Sequence, residues 1–520
     1  MKAAIVAAAA LAAGLSPLAQ RAPRPPIEEA TIAQLHAEMR AKRLTCRALV
    51  THYLARIEAY DKRGPALNAV VVTNPAALAE ADALDRRFAS GGPTGPLHCV
   101  PTVVKDNFET IGLQSADGSR ALEGFVSDRD AFQVKRIKAA GAIVLAKTNM
   151  AEFAFSPYET LNSLQGHTKN PYALDRVPAG SSGGTAAAVA ANLAAVGLGS
   201  DTGNSIRGPS SHNALVGIRS TMGLTSRAGV MPLSYLADIA GPMARTVEDA
   251  VAVFQVIVGE DPDDPMTARS RGRPVPDYRT SLDRNGLRGA RIGILRPAYE
   301  RANADEEVIR VFMKAVDDLT RAGATVVDSI ALEPMRRPQA AGACRGFKYD
   351  INAYLAARGQ RAPVHSLDEI IASGKFHASV EPRLQSAQRT MPEGPDSDAC
   401  RADAAYRENF AAALTKAMND ARVDALIYPT WSNPPRPIGD LASPAGDNSQ
   451  IHSPTSGFPA VTVPMGYTRD GQLPAGLTLL GRAWDEPTLI TLAYGYEQAT
   501  RHRRPPASTP PLPLTASAGR

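Results

Sequence analysis

The shortages in this sequence narrow the field first. Its 520 residues hold only four cysteines, Cys46, Cys99, Cys344 and Cys400, and no two form a CxxC pair. Structural zinc and dithiol redox motifs need such closely spaced thiols, so no metal site or cofactor is expected from them. An exported chain could bridge Cys344 to Cys400, a pairing that sequence leaves open. Aromatic residues make up 5% of the chain, and the formal net charge is only +5. The lysines and arginines are dispersed, with no basic block interleaved with aromatics, so nucleic acid is not an expected partner. Histidine is also sparse, nine in all, and none sits in a recognisable base motif. Past the N-terminus no run approaches the roughly 20 apolar residues of a membrane span, and there is no internal repeat.

What remains is ordinary globular composition, 44% hydrophobic and 21% charged, in a chain long enough for one large domain or several small ones. The N-terminus is the exception. In "MKAAIVAAAALAAGLSPLAQRAPRPP", Lys2 precedes an apolar run from Ala3 to Leu15, a small residue at Ala19, and a charged, proline-rich stretch from Arg21 to Pro26. This is the pattern of a signal peptide over residues 1–22, with a linker over 23–29. It predicts a periplasmic or secreted protein, with a cytoplasmic one as the alternative.

Along the rest of the chain, residues 27–60 and "NPAALAEADALDRRFAS" carry helical spacing of apolar positions. "VPTVVKDNF" reads as a β-branched strand that delivers Lys105 at its tip, and "AGAIVLAKTN" repeats the device. Ala186 to Ala195 is almost entirely alanine, valine and leucine, as a helix at the centre of a large core is. "TVEDAVAVFQVIVG" predicts a further helix, "ARIGILRP", "VDALIYPTW" and "FPAVTVPMGY" predict strands, and "TLITLAYGYEQAT" predicts a closing helix. Residues 335–405 are polar and irregular, in the manner of an insertion or lid. The proline-rich tail, 501–520, is expected to fray. Strands alternating with helices imply an α/β layered fold.

Candidate chemistry lies in two serine- and glycine-rich stretches. "AGSSGGTAAAV" formally fits the G-x-S-x-G nucleophile elbow around Ser182, but the charged "NPYALDRVP" before it is a poor strand. The same residues fit the N-terminus of a buried helix, where free N–H groups suit an oxygen anion, or where a serine merely caps the helix. In "GSDTGNSIRGPSS" a tight loop brings backbone N–H groups together, the geometry that stabilises a tetrahedral oxyanion. A serine there needs a base. His212 would have to fold back sharply to serve, whereas a lysine made neutral by burial can do the work, and Lys105 is placed for it. Asp201 and Arg207 flank the turn as bracing partners. "YPTWSNPP" around Trp431 offers an acyl-pocket wall or plain core.

At this point the chain resembles the amidase signature family. "VPAGSSGGTAAAVAANLAAVGLGSDTGNSIRGPSSHNALVGIR" is similar to its signature segment, and Ser181 and Ser205 stand twenty-four positions apart, as that family's paired serines do. "PTVVKDNFET", "AKTNMAEFAF", "TSGFPAVTVPMGY" and "PAGLTLLGRAWDEPTL" follow its pattern in order, so the likeness covers about Ala30 to Thr500. The resemblance implies a three-layer α/β/α fold with a large mixed central sheet, formed by a single domain over 30–500. It implies a Ser–cis-Ser–Lys triad, with Ser205 as nucleophile, Ser181 as bridging serine on a cis peptide bond, and Lys105 as base. The backbone N–H groups of Thr202, Gly203, Asn204 and Ser205 would form the oxyanion hole, and no cofactor would be needed.

Three positions depart from the family. Asn204 replaces a glycine, and its side chain is expected beside the oxyanion site, on a backbone where asparagine's tolerance of positive φ would help. "AGSS" stands for "GGSS" and "GIRST" for "GLKPT"; both look tolerable. The implied activity is hydrolysis of a linear small-molecule amide by a monomer or homodimer. The alternatives are an ester or carbamate hydrolase using the same triad, the glutaminase subunit of a tRNA-dependent amidotransferase, an impaired binding homologue, and a Ser-His-Asp esterase using Ser182.

Overall fold

The computed structural model describes residues 27–512, so the expected signal peptide and residues 513–520 lie outside the described part. The strands are β1 (Val70–Thr73), β2 (Pro101–Lys105), β3 (Ile143–Thr148), β4 (Val196–Asp201), β5 (Val216–Arg219), β6 (Ile239–Ala244), β7 (Arg291–Ile294), β8 (Thr325–Val327), β9 (Ala425–Pro429), β10 (Ala460–Thr468) and β11 (Leu473–Leu480). They form one 11-stranded sheet in the order β1-β3-β2-β4-β6-β5-β10-β11-β9-β7-β8. β3, β2 and β4 run parallel, as do β9, β7 and β8, and the strands between these groups are antiparallel. The fold is therefore α/β with a mixed sheet. Its parallel β2–β4 pair ends at Lys105 and Asp201, and the crevice beyond the carboxyl ends of such strands is where ligands bind.

The connection from β3 to β4 decides what sits there. The helix Gly183–Ala190 is wholly buried, because alanine, glycine and valine let it lie flat against β2 and β4. Its approach leaves no room for side chains. A Cβ at Gly184 would strike the Asn149 backbone, and one at Gly197 would meet Thr185 and Val189. Close packing of this kind fixes the helix N-terminus, and with it Ser181 and Ser182, against the strand ends.

Several expectations change. The 27–60 helix is two helices, Ile32–Arg40 and Cys46–Arg56, because Lys42 takes a left-handed backbone and Thr45 caps a new start by accepting from the Ala48 N–H at 3.1 Å. Residues 335–405 are largely helical, including Phe347–Ala356, Leu367–Ser373 and Glu381–Arg389. These helices pack Phe347, Ile351 and Leu367 onto Phe153, Phe155 and Phe125, so the polar sequence is the outside of a second apolar cluster. The described part of the tail, residues 501–512, does not fray. Arg503 pairs with Glu29 at 2.7 Å, and Arg56 donates to the Thr509 and Pro510 carbonyls at 2.9 and 3.0 Å. Cys344 and Cys400 are bridged, and so are Cys46 and Cys99, which no sequence spacing suggested.

Because Gly184 touches backbone rather than a movable side chain, Gly184→Ala should lower stability by about 1–3 kcal/mol. Chemical denaturation should report that loss, with catalytic activity falling in parallel as Ser181 is displaced.

Candidate active site

Lys105 closes β2 with its side chain fully buried. Its Nζ lies 2.6 Å from Ser181 Oγ and 2.8 Å from Ser200 Oγ, with the Ser200 carbonyl at 3.5 Å. Two hydroxyls and one distant carbonyl are poor company for an ammonium ion. Burial therefore pulls the lysine from its ordinary 10.5 down to about 7, only partly opposed by the carboxyls of Asp117, Asp238 and Asp201.

Lys147 makes the contrast. It too is buried, at the end of β3, but its Nζ donates to the Phe108 carbonyl at 2.6 Å and Ser115 Oγ at 2.8 Å, with the Gln114 and Asp106 carbonyls at 3.2 and 3.3 Å. That shell suits a cation, and with Asp106 nearby Lys147 falls only to about 8, so of the two lysines Lys105 is the more readily neutral near pH 7.

Ser200, which sequence reasoning passed over, is the second hydroxyl on that amine. Ser200 Oγ also accepts from Asn107 Nδ2 at 3.0 Å, so Asn107 and Lys105 converge on it. The only sequence signal was its position five residues before Ser205 at the end of a strand.

Ser181 follows Gly180 through a cis peptide bond, as the resemblance implied. Its carbonyl accepts from the Ala151 N–H at 3.1 Å, and the Gly180 N–H donates to Pro157 at 2.8 Å, so the turn is pinned on both sides. Ala179, where the family has glycine, carries φ of 63° in the left-handed region. Ser182 is fully buried, gives its hydroxyl to the Ser200 carbonyl at 3.1 Å, and makes no cap bond to the helix it precedes. It is neither an exposed elbow nor a helix cap.

Ser205 lies on the loop between β4 and the helix Arg207–His212. The Asp201 carboxylate organises that loop. Its Oδ2 accepts from the Ile206 and Arg207 N–H groups at 3.0 and 3.3 Å, and from Arg207 Nε at 3.1 Å. Its Oδ1 accepts from Arg219 Nη1 at 3.0 Å. Burial alone would raise this carboxyl, but Arg207 and Arg219 hold it at about 2. Asp201 and Arg207 are thus bracing partners, and Arg219 explains the "GIRST" departure as a second arm of the same brace.

The N–H groups of Thr202, Gly203, Asn204 and Ser205, just upstream of the two that Asp201 takes, donate to no acceptor among the described residues. Successive free N–H groups are the kind of donor that anion-binding loops use. Thr202 is tied down by its hydroxyl, which donates to Asp238 at 2.5 Å.

Asn204 corrects one expectation. It is not among the residues with positive φ, so the position makes no left-handed demand. Its side chain is fully buried against Gly208 and donates to Asp447 Oδ2 at 2.8 Å. His212 stacks on Trp431 with ring centroids 4.7 Å apart, and burial lowers it to about 3, so it stays neutral and away from the serines' chemistry. Trp431 is buried, donates to the Gly208 carbonyl at 3.3 Å and lies edge-on to Tyr158, so it backs the loop rather than lining an open pocket.

An α/β sheet that sets a neutral amine, serine hydroxyls and a row of free N–H donors at the ends of parallel strands has the parts of a serine hydrolase. Similarity to known proteins narrows that class. The Amidase family model matches residues 48–490. The native peptide amidase of Stenotrophomonas maltophilia superposes with a TM-score of 0.84 at 40% identity, covering 92% of this chain and 99% of that one. A probable amidase of Arabidopsis thaliana is 35% identical over 92% of both chains. A glutamyl-tRNA(Gln) amidotransferase component from a Synechococcus strain is 34% identical over 92% of this chain and 94% of that one. The chain belongs to the amidase family, and it is an enzyme that hydrolyses amides.

Since the amine must be neutral to accept a proton, activity should rise with pH through about 7 and fall away below it. A kcat/KM profile should show that ionisation, and His212→Ala should leave it in place.

Proposed function

We propose that Ser205 attacks the amide carbonyl, with Lys105 as its base acting through Ser181. The separation of 2.6 Å between a desolvated Lys105 Nζ and Ser181 Oγ carries this reading. Neutral Lys105 takes the Ser181 proton while Ser181 takes the proton of Ser205, whose oxygen bonds to the carbonyl carbon. The carbonyl oxygen becomes an oxyanion facing the Thr202 to Ser205 N–H groups. Collapse of that intermediate breaks the C–N bond, and the relay run backwards protonates the departing nitrogen. Water, deprotonated by the same relay, then frees the acid from Ser205.

The 40% identity to a peptide amidase makes a peptide amide the first substrate to test, with the protein acting as a monomer or homodimer. Esters and carbamates present the same carbonyl and would use the same groups. We also place the protein in the periplasm or outside the cell. The N-terminal pattern supports this, as do both cysteine pairs being bridged, since disulfides persist in oxidising compartments. The same observations weigh against an intracellular amidotransferase role, which the 34% relative would otherwise suggest.

Ser205→Ala should reduce kcat on a peptide amide by about 10⁴-fold or more and abolish the acyl adduct seen by mass spectrometry. Ser182→Ala should keep the adduct. An adduct that survives Ser205→Ala and disappears with Ser182→Ala would refute the assignment. In parallel, fractionation of cells producing the full chain should place activity outside the cytoplasm.

A further inference from the structure

The Asn204 side chain is more than a tolerated replacement. It is one member of a closed ring of side chains wrapped around the nucleophile loop. Asp447 Oδ2 accepts from Asn204 Nδ2 at 2.8 Å and from Gln450 Nε2 at 2.6 Å, while Asp447 Oδ1 accepts from the Ser449 N–H at 2.9 Å. Gln450 turns its Oε1 back onto Gly203, where a Cβ would collide with it, and Asn204 Oδ1 fills the corresponding space at Gly208. The ring thus touches the loop at Gly203 and at Asn204, two of the four residues with free N–H groups. Arg207 ties the same two segments together from the other side, giving one Nη2 to the Gly203 carbonyl at 2.6 Å and to the Ser449 carbonyl at 3.2 Å. Arg301 anchors the outer segment through the Asp447 carbonyl at 3.1 Å.

Asp447 is half-buried among these donors, and desolvation raises its carboxyl from 3.8 to about 6. It is therefore a carboxylate where Lys105 is neutral, and its bonds to the two amides are charge-assisted. Asn204 Oδ1, in contrast, is buried with no partner among the described residues. An unsatisfied buried carbonyl is costly. It is retained on the side chain whose other end holds the nucleophile loop to Asp447.

We propose that Asn204 and Asp447 are positioning residues for the oxyanion hole. The Asn204–Asp447 bond, closed by Gln450, fixes the direction of the Gly203, Asn204 and Ser205 N–H groups toward the carbonyl oxygen. Neither side chain need touch the substrate. The inference rests on Ser205 being the nucleophile and deepens that reading.

The test uses the full-length protein with a peptide amide at about pH 8, where Asp447 is ionised. Asn204→Ala and Asp447→Asn should each lower kcat about tenfold to a hundredfold, with KM held within about threefold. Gln450→Ala alters an exposed residue, and should lower kcat in the same direction by about threefold to tenfold. The reciprocal double variant, Asn204→Asp with Asp447→Asn, rebuilds an amide–carboxylate pair and should recover about tenfold over the worse single change. An unchanged kcat in Gln450→Ala together with Asn204→Ala would overturn the proposal. So would a rise in KM at constant kcat, which would mark substrate contact, or a double variant no better than its worse parent. Ser205→Ala in the same series separates the two readings. If it retains turnover, the nucleophile assignment fails; if it is dead while Asn204→Ala is fully active, only the positioning role fails.

Discussion

A lysine that must lose its charge to be buried is the constraint on which the site depends. Lys105 ends a central strand with no exposed atom of its side chain, and its partners are hydroxyls. Its burial outweighs the nearby carboxyls of Asp117, Asp238 and Asp201, which favour the charged form. β2 carries it inward, the flat helix Gly183–Ala190 brings Ser181 to it, and Asn107 donates to the Ser200 hydroxyl beside it. One strand away, Lys147 shows the other solution, in which backbone carbonyls satisfy the ammonium and the residue becomes structural. The same side chain at two strand ends thus has different chemistry because its acceptors differ.

The opposite charge logic governs the nucleophile loop. Asp201 stays ionised in the interior because Arg207 and Arg219 face it, and truncating one partner of such a pair would leave a buried charge alone. By taking the Ile206 and Arg207 N–H groups, this carboxylate defines where the helix begins and leaves the four preceding N–H groups for a ligand. The loop is then held from the far side by the Asn204–Asp447 contact. A buried lysine at the end of β2 and a fixed charged brace at the end of the neighbouring β4 thus stand at adjacent strand ends, where the loop carrying Ser205 begins.

Much of this was legible in the sequence. The β-branched "TVV" before Lys105, the alanine-rich helix and the spacing of Ser181 and Ser205 each carry a physical reason that survives folding. Other parts were hidden because their causes are not local. Strands β4 and β6 each carry two or more residues of glycine or alanine and only one β-branched residue, so they lack the β-branched signature of strands. Ser200 looks like one more loop serine until Asn107 and Lys105 are seen to converge on it. The tail looks frayed because the partners of Arg503 lie far from it in sequence, Glu29 among them. Backbone preference alone misjudges Asn204, because its role depends on Asp447, 243 residues away.

The central claim, that Lys105 is an uncharged amine in the resting enzyme, can be measured without substrate. In protein carrying 13C at the lysine Cε, the resonance missing from Lys105→Arg identifies this side chain, and its shift reports the amine's protonation. It should titrate near 7, with the neutral form dominant above that. Titration near the ordinary 10.5 would show the lysine charged at neutral pH and would contradict the account.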